Sequence, residues 1–510
     1  MTPRMEAMRE AVRARQHASC RQASAPDVLA ECEREGLNWM QRVGRLFVRQ
    51  CAAERPVIEP DQEIVFTRTV PVVPPIYGPE EWRARFAGRR PHELGPISNI
   101  CADWGAVLAA GLNGRRRAAL LSRERRSRDP EAVEFLGCAV VCIDALLDLA
   151  RRYAEAAEQA GRADLAAVLR RVPAEPPRSF REALQSLRLL HASVWLCGHY
   201  HVGLGRFDQY MAPYLERDLA TGTLTSAAAE ELLAEFFISL NRDSDLYPGV
   251  QQGDNGQSLM LGGLTPDGRC AVNELTCMVL RVACAVNMID PKINLRIDRD
   301  TDLGLLELAA SLTRRGLGFP QYSNDDVVIP GLLAHGYSLE DARDYTVAAC
   351  WEYIVPGRGM EIVNIGALSF PAAVDQAIRQ GLEAGDSFEG ILARARAKIR
   401  EQTAARVDDY RGVLLPPAPW YSVLMTDCIE RGRDLSCGAR YNNFGIHGAG
   451  SANAADALAA VKHFVFDEAR VQPKILSAAL AYDWQGYDDV RETMASGPRV
   501  GNNDDDADAM

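Results

Sequence analysis

The stretch Asp344–Gly357, DYTVAACWEYIVPG, sets a thiol and a carboxylate two residues apart inside an apolar, β-prone run. In an extended backbone, residues i and i+2 share a face, so Cys350 and Glu352 point into one space while Trp351 points away. A neighbouring carboxylate raises a thiol pKa, so this pair is a poor thiolate nucleophile. It suits chemistry in which the sulfur works as a radical, by hydrogen-atom transfer, while the glutamate accepts a proton. A buried structural cysteine is the competing reading. A cysteine hydrolase would need a histidine base; the chain has 8 histidines but none of the local cysteine-protease signatures.

The surroundings of this stretch narrow the class. The chain has 510 residues, 47% of them hydrophobic, and a net charge of -12. The acidic balance argues against nucleic acid, because phosphate neutralisation needs a basic surface. No apolar run reaches the length of a membrane span, and MTPRMEAMRE lacks a signal-peptide apolar segment, so a cytoplasmic protein acting on a small molecule is expected. The 13 cysteines are scattered, as free thiols in a reducing compartment would be. Cys138 and Cys142, one helical turn apart, read as core packing rather than as metal ligands.

Residues 1–60 read as helical and Arg-rich, and 63–78, EIVFTRTVPVVPPIYG, as a strand running into a proline-ended turn. Helical patterns dominate 130–240, where Ser179 and Glu182 make a capping-box signature ahead of a helix. In DPKINLRID, Ile293, Leu295 and Ile297 alternate with Lys292, Asn294 and Arg296. In a helix-wrapped barrel the polar set of that strand would line the lumen; an edge strand with a wet face is the alternative. No repeat or linker is visible, which favours one large domain.

Three further motifs bear on chemistry. GIHGAG, 445–450, opens a helix but fits neither dinucleotide nor Walker A spacing, so a tight strand-to-helix turn is expected. His199 and His201 alternate on a segment read as extended, where they could face a substrate oxygen or a metal; no third ligand stands at a recognisable spacing, and no metal site is expected. Arg206 and Asp208 read as an ion pair or turn anchor.

Taken in order, GRFDQYMAPY (205–214), QSLMLGGLTPDGR (257–269), GFPQYSNDDVVIPGLLAHGYSLEDARDY (318–345), ACWEY (349–353), GIHGAGSANAADALAAVK (445–462) and GNNDDDADAM (501–510) resemble the glycyl radical enzymes of the pyruvate formate-lyase and glycerol dehydratase group. The resemblance covers most of the chain from about residue 180 onward. It implies a ten-stranded α/β barrel of two half-barrels surrounded by helices, incomplete at the C-terminus. A helical part over 1–130 would precede a barrel core over 131–510 with its cysteine loop near 350. It also implies Cys350 as the thiyl radical residue and Glu352 as general base.

The chain departs from the family's pattern at three places. Trp351 follows Cys350 where pyruvate formate-lyase has a second cysteine, which disfavours acetyl transfer. Asn364 stands where the diol dehydratases resemble one another in carrying a histidine, which weakens a simple glycerol or propanediol dehydratase assignment. No glycine matches the family's Arg-Val-x-Gly-Tyr radical loop. The expectation is therefore a split radical lyase: a radical-SAM activating enzyme installs a glycyl radical on a small separate subunit, which then oxidises Cys350. The reaction expected is C–O or other C–X elimination on a small, carboxylated substrate, with decarboxylation as the alternative. His199, His201, Asn294, Arg296 and Asn364 are the candidate substrate-binding residues. A non-catalytic remnant or scaffold is the rival from another class, and a homo-oligomer is compatible with either.

Overall fold

The computed structural model describes residues 1–90, 95–243, 256–350, 352–362 and 365–510. The backbone gathers into two compact units, Met1–Ile362 with Leu414–Asn443, and Val363–Val413 with Phe444–Met510.

The first unit begins with helices, as its sequence predicts. Helix α1, Trp39–Ala53, starts at a capping box in which Asn38 and Gln41 satisfy each other's backbone amides, and it buries Val43, Leu46 and Phe47. Helix α2, Pro130–Gln159, is capped by Asp129, opens on Pro130, and presents Phe135, Leu136, Ile143, Leu146 and Leu149 to the core. The Phe47 ring stacks on Trp420 with centroids 4.8 Å apart. Helix α3, Phe180–Val194, starts where Ser179 accepts from the Glu182 amide, as the motif predicts. Helix α4 is Ser226–Leu240.

The expected strand over 63–78 is an irregular segment outside any sheet, bent at 63–64 and 76–77, with Phe66 at φ +145°. Its backbone groups are met by side chains instead. The Glu63 and Ile64 amides donate to Glu235 of α4, at 2.6 and 2.9 Å. The Gln185 amide of α3 brackets Val65, accepting from its N–H at 2.8 Å and donating to its carbonyl at 3.0 Å. The Thr69 amide donates to Glu54 at 2.6 Å. A buried backbone must be hydrogen-bonded, and here helices supply the partners that a neighbouring strand would otherwise provide.

Parallel strands form the centre of this unit. Strand β1, Ile100–Cys101, pairs with β2, Val202–Gly203. A single parallel bridge, Gly205 to Leu259, leads on to β3, Ser258–Gly262. Strand β3 pairs with β4, Lys292–Ile297, which pairs with β5, Gln321–Asn324. Helices Glu274–Val286 and Leu303–Thr313 make the crossovers that parallel strands require. Strand β4 is thus an interior strand, and Ile293 and Leu295 are fully buried in the main core. Among the described residues the ladders are short, and hydrogen bonding does not by itself trace a closed ring of ten strands. Strands β6, Thr346–Val347, and β7, Tyr353–Ile354, form an antiparallel hairpin, followed by β8, Gly359–Ile362.

In the second unit, β9, Ala367–Ser369, pairs in parallel with β10, His447–Ala449. Gly450 then adopts a left-handed conformation and starts helix α5, Ser451–Val461. The glycine-rich motif is the strand-to-helix turn that its spacing suggests. No helix among the described residues is long and apolar enough to cross a membrane.

Candidate active site

Cys350 and Glu352 lie at the tip of the β6–β7 hairpin. Thr346, Val347, Tyr353 and Ile354 are the β-branched and aromatic residues that favour such pairing, with Thr346 opposite Ile354 and Val347 opposite Tyr353. The Ala348 amide donates to the Glu352 carbonyl at 3.1 Å and closes the loop. Inside it, the Cys350 amide donates to Glu352 Oε2 at 2.6 Å. The carboxylate is therefore held against the cysteine's own backbone. Gly357 ends the hairpin with φ +69°, and a side chain there would collide with Thr426 and Asp103.

Two neighbours seat the tip. The Ser258 hydroxyl of β3 donates to the Ala349 carbonyl. Gly256, at φ +59°, lets the His201 imidazole and Ala349 approach from two sides: an added Cβ would stand 2.6 Å from His201 Cδ2 and 3.3 Å from Ala349 Cβ. His201 Nδ1 lies 2.8 Å from Asn99 Oδ1.

The polar face of β4 runs along the hairpin in the opposite direction. At one end, Lys292 Nζ is 4.0 Å from Cys350 Sγ. At the other, Arg296 grips Asp325 with Nε and one terminal nitrogen, both at 2.8 Å, and donates to the Arg343 carbonyl at 2.7 Å. Its guanidinium stands 4.1 Å from the Tyr345 ring centre, and the Tyr345 hydroxyl donates to Asp325 at 2.7 Å. Arg296 was expected to bind a substrate carboxylate; the structure gives it Asp325 as carboxylate partner and buries the pair. Asn294 lies between the two ends, completely buried. Its amide nitrogen faces the Lys292 carbonyl at 3.3 Å, while Oδ1 has no hydrogen-bond partner among the described residues.

The two histidines part company. Extended alternation would place them on one face, but His201 has φ +49°, which breaks the alternation. His199 is buried, with Nδ1 2.7 Å from the Ile97 carbonyl and its ring edge-on to Tyr421. His201 is the one beside the cysteine loop. Asn364 lies outside the described residues. Among the described residues no group of three or more His, Cys, Asp or Glu side chains could hold a metal ion. Arg206 and Asp208 are anchors, though not to each other. Arg206 pairs with Asp344 at 3.2 Å, and Asp208 accepts from the Gly262 amide at 2.8 Å and from Thr276 at 2.6 Å.

Sequence reading missed two neighbours of this site. Lys292 was visible only as part of a polar strand face. Glu361, on β8, is buried and accepts from Asn443 Nδ2 at 2.6 Å. Burial, reinforced by the charge of Glu352, pushes the Glu361 carboxyl up to about 7. The only signal for it is the apolar run of GMEIV, in which a lone glutamate must be buried with a partner.

Residues 77–510 match the family described as pyruvate formate lyase-like. The chain is 27% identical to a (2S)-3-sulfopropanediol dehydratase of Klebsiella oxytoca, over 81% of this chain and 55% of that protein. It is 28% identical to a trans-4-hydroxy-L-proline dehydratase of Clostridioides difficile, over 73% of this chain and 52% of that protein. A glycerol-bound B12-independent glycerol dehydratase from Clostridium butyricum superposes with a TM-score of 0.84 at 24% identity, covering 100% of this chain and 77% of that one. The chain spans about half the length of the curated relatives it matches. The hairpin that carries Cys350 and Glu352 thus belongs to a fold already described elsewhere: this chain is a member of the pyruvate formate lyase-like family.

Proposed function

We propose that this protein is a radical lyase in which Cys350 carries the reactive sulfur and Glu352 the base, acting on a small hydroxylated substrate by elimination. The observation that supports the reading is the 2.6 Å hydrogen bond from the Cys350 amide to Glu352 Oε2, which holds the carboxylate against the backbone of the cysteine. The glycyl radical chemistry implied by the resemblance supplies the oxidant of the sulfur. We assign that radical to a small separate subunit, with a radical-SAM activating enzyme as the second partner. A partly accessible thiol at a loop tip suits such an oxidant.

In this reading Cys350 Sγ takes a hydrogen atom from a substrate carbon, forming S–H and a carbon radical. Glu352 takes the proton of the hydroxyl on that carbon, and the neighbouring substituent leaves with its electron pair. The product radical then recovers a hydrogen atom from Cys350. Holding both groups in one hairpin contributes positioning. Both curated relatives named above are dehydratases, which supports elimination over decarboxylation. Cys350→Ala and Glu352→Gln should fold normally and lose turnover completely in a system reconstituted with radical donor and activating enzyme. Turnover retained in Cys350→Ala would overturn the proposal, and turnover without the small subunit would overturn its assignment.

A further inference from the structure

The second unit carries a groove of about 470 Å³, within the roughly 300–1,000 Å³ range of small-ligand sites. Its apolar lining includes Val374 and Ile378 of helix Phe370–Ala384, Leu476 and Leu480 of helix Pro473–Ala481, and Ala457 of α5. Trp484 is part of the wall. Both Asp483 and Trp484 hold left-handed backbone angles, φ +50° and +67°, which a bulky side chain rarely adopts. The Trp484 amide donates to the Ala479 carbonyl at 2.8 Å, so the helix end fixes this strained turn and, with it, the indole beside the groove. Four charged side chains share the wall. Asp375 accepts from Arg379 Nε with both oxygens at 2.9 Å, and Asp456 Oδ1 accepts from the Val500 amide at 2.8 Å. Arg499 donates to the Ala495 carbonyl at 2.5 Å. Arg491 is exposed, and its guanidinium makes no hydrogen bond or ion pair among the described residues.

The geometry points to a binding site for an amphipathic monocarboxylate, an aryl or medium-chain alkyl acid whose apolar body fills the groove and whose carboxylate pairs with Arg491. A guanidinium fork meets a carboxylate in two parallel hydrogen bonds. Arg499 adds a second cation to the same wall, whereas the Asp456 charge repels a second negative charge on the ligand, so a monoanion is favoured over a phosphate dianion. Cys350 belongs to the first unit and every residue lining the groove to the second, so this binding goes beyond the lyase reading and needs no radical.

Isothermal titration of the purified chain at pH 8 with 4-phenylbutyrate, uncharged 4-phenylbutanol and 4-phenylbutyl phosphate tests the site. The butyrate should bind about tenfold or more tightly than the alcohol, and more tightly than the phosphate. Arg491→Met should weaken the butyrate by about tenfold or more and leave the alcohol unchanged. Ala457→Phe, which fills the groove, should abolish binding of both. Arg491 is exposed, so its variant tests binding without disturbing the core; if thermal melting shows that Ala457→Phe misfolds, Asn453→Trp obstructs the groove from an exposed position in the wall instead. No binding at millimolar butyrate, equal binding of the alcohol, tighter binding of the phosphate, or undiminished butyrate binding in folded Arg491→Met or Ala457→Phe protein would each overturn the proposal. So would sedimentation showing a wild-type oligomer that Ala457→Phe splits into monomers, since the groove would then be covered by a second copy of the chain. None of these outcomes bears on whether Cys350→Ala turns over, which tests the lyase reading separately.

Discussion

Asn443 holds Glu361 and Tyr337 together: one amide nitrogen stands 2.6 Å from Glu361 Oε1 and 2.5 Å from the Tyr337 hydroxyl oxygen. Tyr337 in turn stacks on Tyr441 with centroids 4.0 Å apart. Glu361 is a buried carboxyl whose protonation is tied to folding.

Folding raises the Glu361 pKa from 4.5 to about 7, through burial first and the Glu352 charge second. Between those values the folded state holds a proton that the unfolded state has released, so stability falls as pH rises through this window, by about 1.4 kcal/mol per pH unit. Glu361→Gln keeps an acceptor for Asn443 and removes the titration. Urea unfolding at pH 4.5 and 8 should show the variant gaining about 3 kcal/mol relative to wild type at the higher pH. A pH-independent difference would contradict the raised pKa.

His191 acts in the opposite direction. It is buried, with Nε2 2.9 Å from the Val202 carbonyl, and burial lowers its pKa from 6.5 to about 4. Between those values the unfolded state holds the extra proton, so this contribution to stability is complete above 6.5 and lost as pH falls toward 4. His191→Asn should remove that loss on acidification, again by about 1.4 kcal/mol per pH unit relative to wild type. The wild-type curve between 4.5 and 6.5 carries both slopes with opposite signs, and each variant exposes the other residue's contribution.

Arg296 and Asp325 make a buried ion pair with side chains 0% and 2% exposed. Arg296→Met leaves a buried carboxylate, and about 3–5 kcal/mol of stability should be lost in urea unfolding. Arg296→Lys should recover little, since a point charge cannot satisfy both carboxylate oxygens and stack on Tyr345. Arg296→Met with Asp325→Leu should be less destabilised than Arg296→Met alone. A loss below 1 kcal/mol in the single variant would show that the pair is dispensable.

Gly256→Ala sets a methyl against His201 at a left-handed backbone position. It should cost about 1–2 kcal/mol and displace the imidazole from Asn99. The His201 ring proton shifts, followed by NMR, would move in the variant; unchanged shifts would mean that the loop absorbs the methyl.

How far the site could be read from the chain alone depends on sequence separation. The Lys292, Asn294, Arg296 face is a local alternation and stands on one interior strand as read, while Cys350 and Glu352 lie at a hairpin tip rather than along an extended run. What Arg296 does with its charge is decided by Asp325, in a different strand-to-helix turn, and no periodicity reports that choice. Glu361 acquires its character from Asn443, and His201 leaves the extended pattern through a backbone angle that composition does not encode. The run 63–78 was misread for a related reason. Val, Ile, Phe and Thr favour a strand, but a strand also needs a neighbouring backbone that the run itself cannot supply, and here side chains from helices meet a bent segment instead.

That last segment has a consequence for how the molecule opens. In a sheet, strands protect one another's amides, and an edge can peel without disturbing the helices outside it. Here the amides of Ile64, Val65 and Thr69 are shielded by Glu235, Gln185 and Glu54, each borne on or beside a different helix. Their exchange with solvent is therefore tied to the loosening of three helices, so that a stretch with no regular structure of its own reports on whether the helical shell is intact.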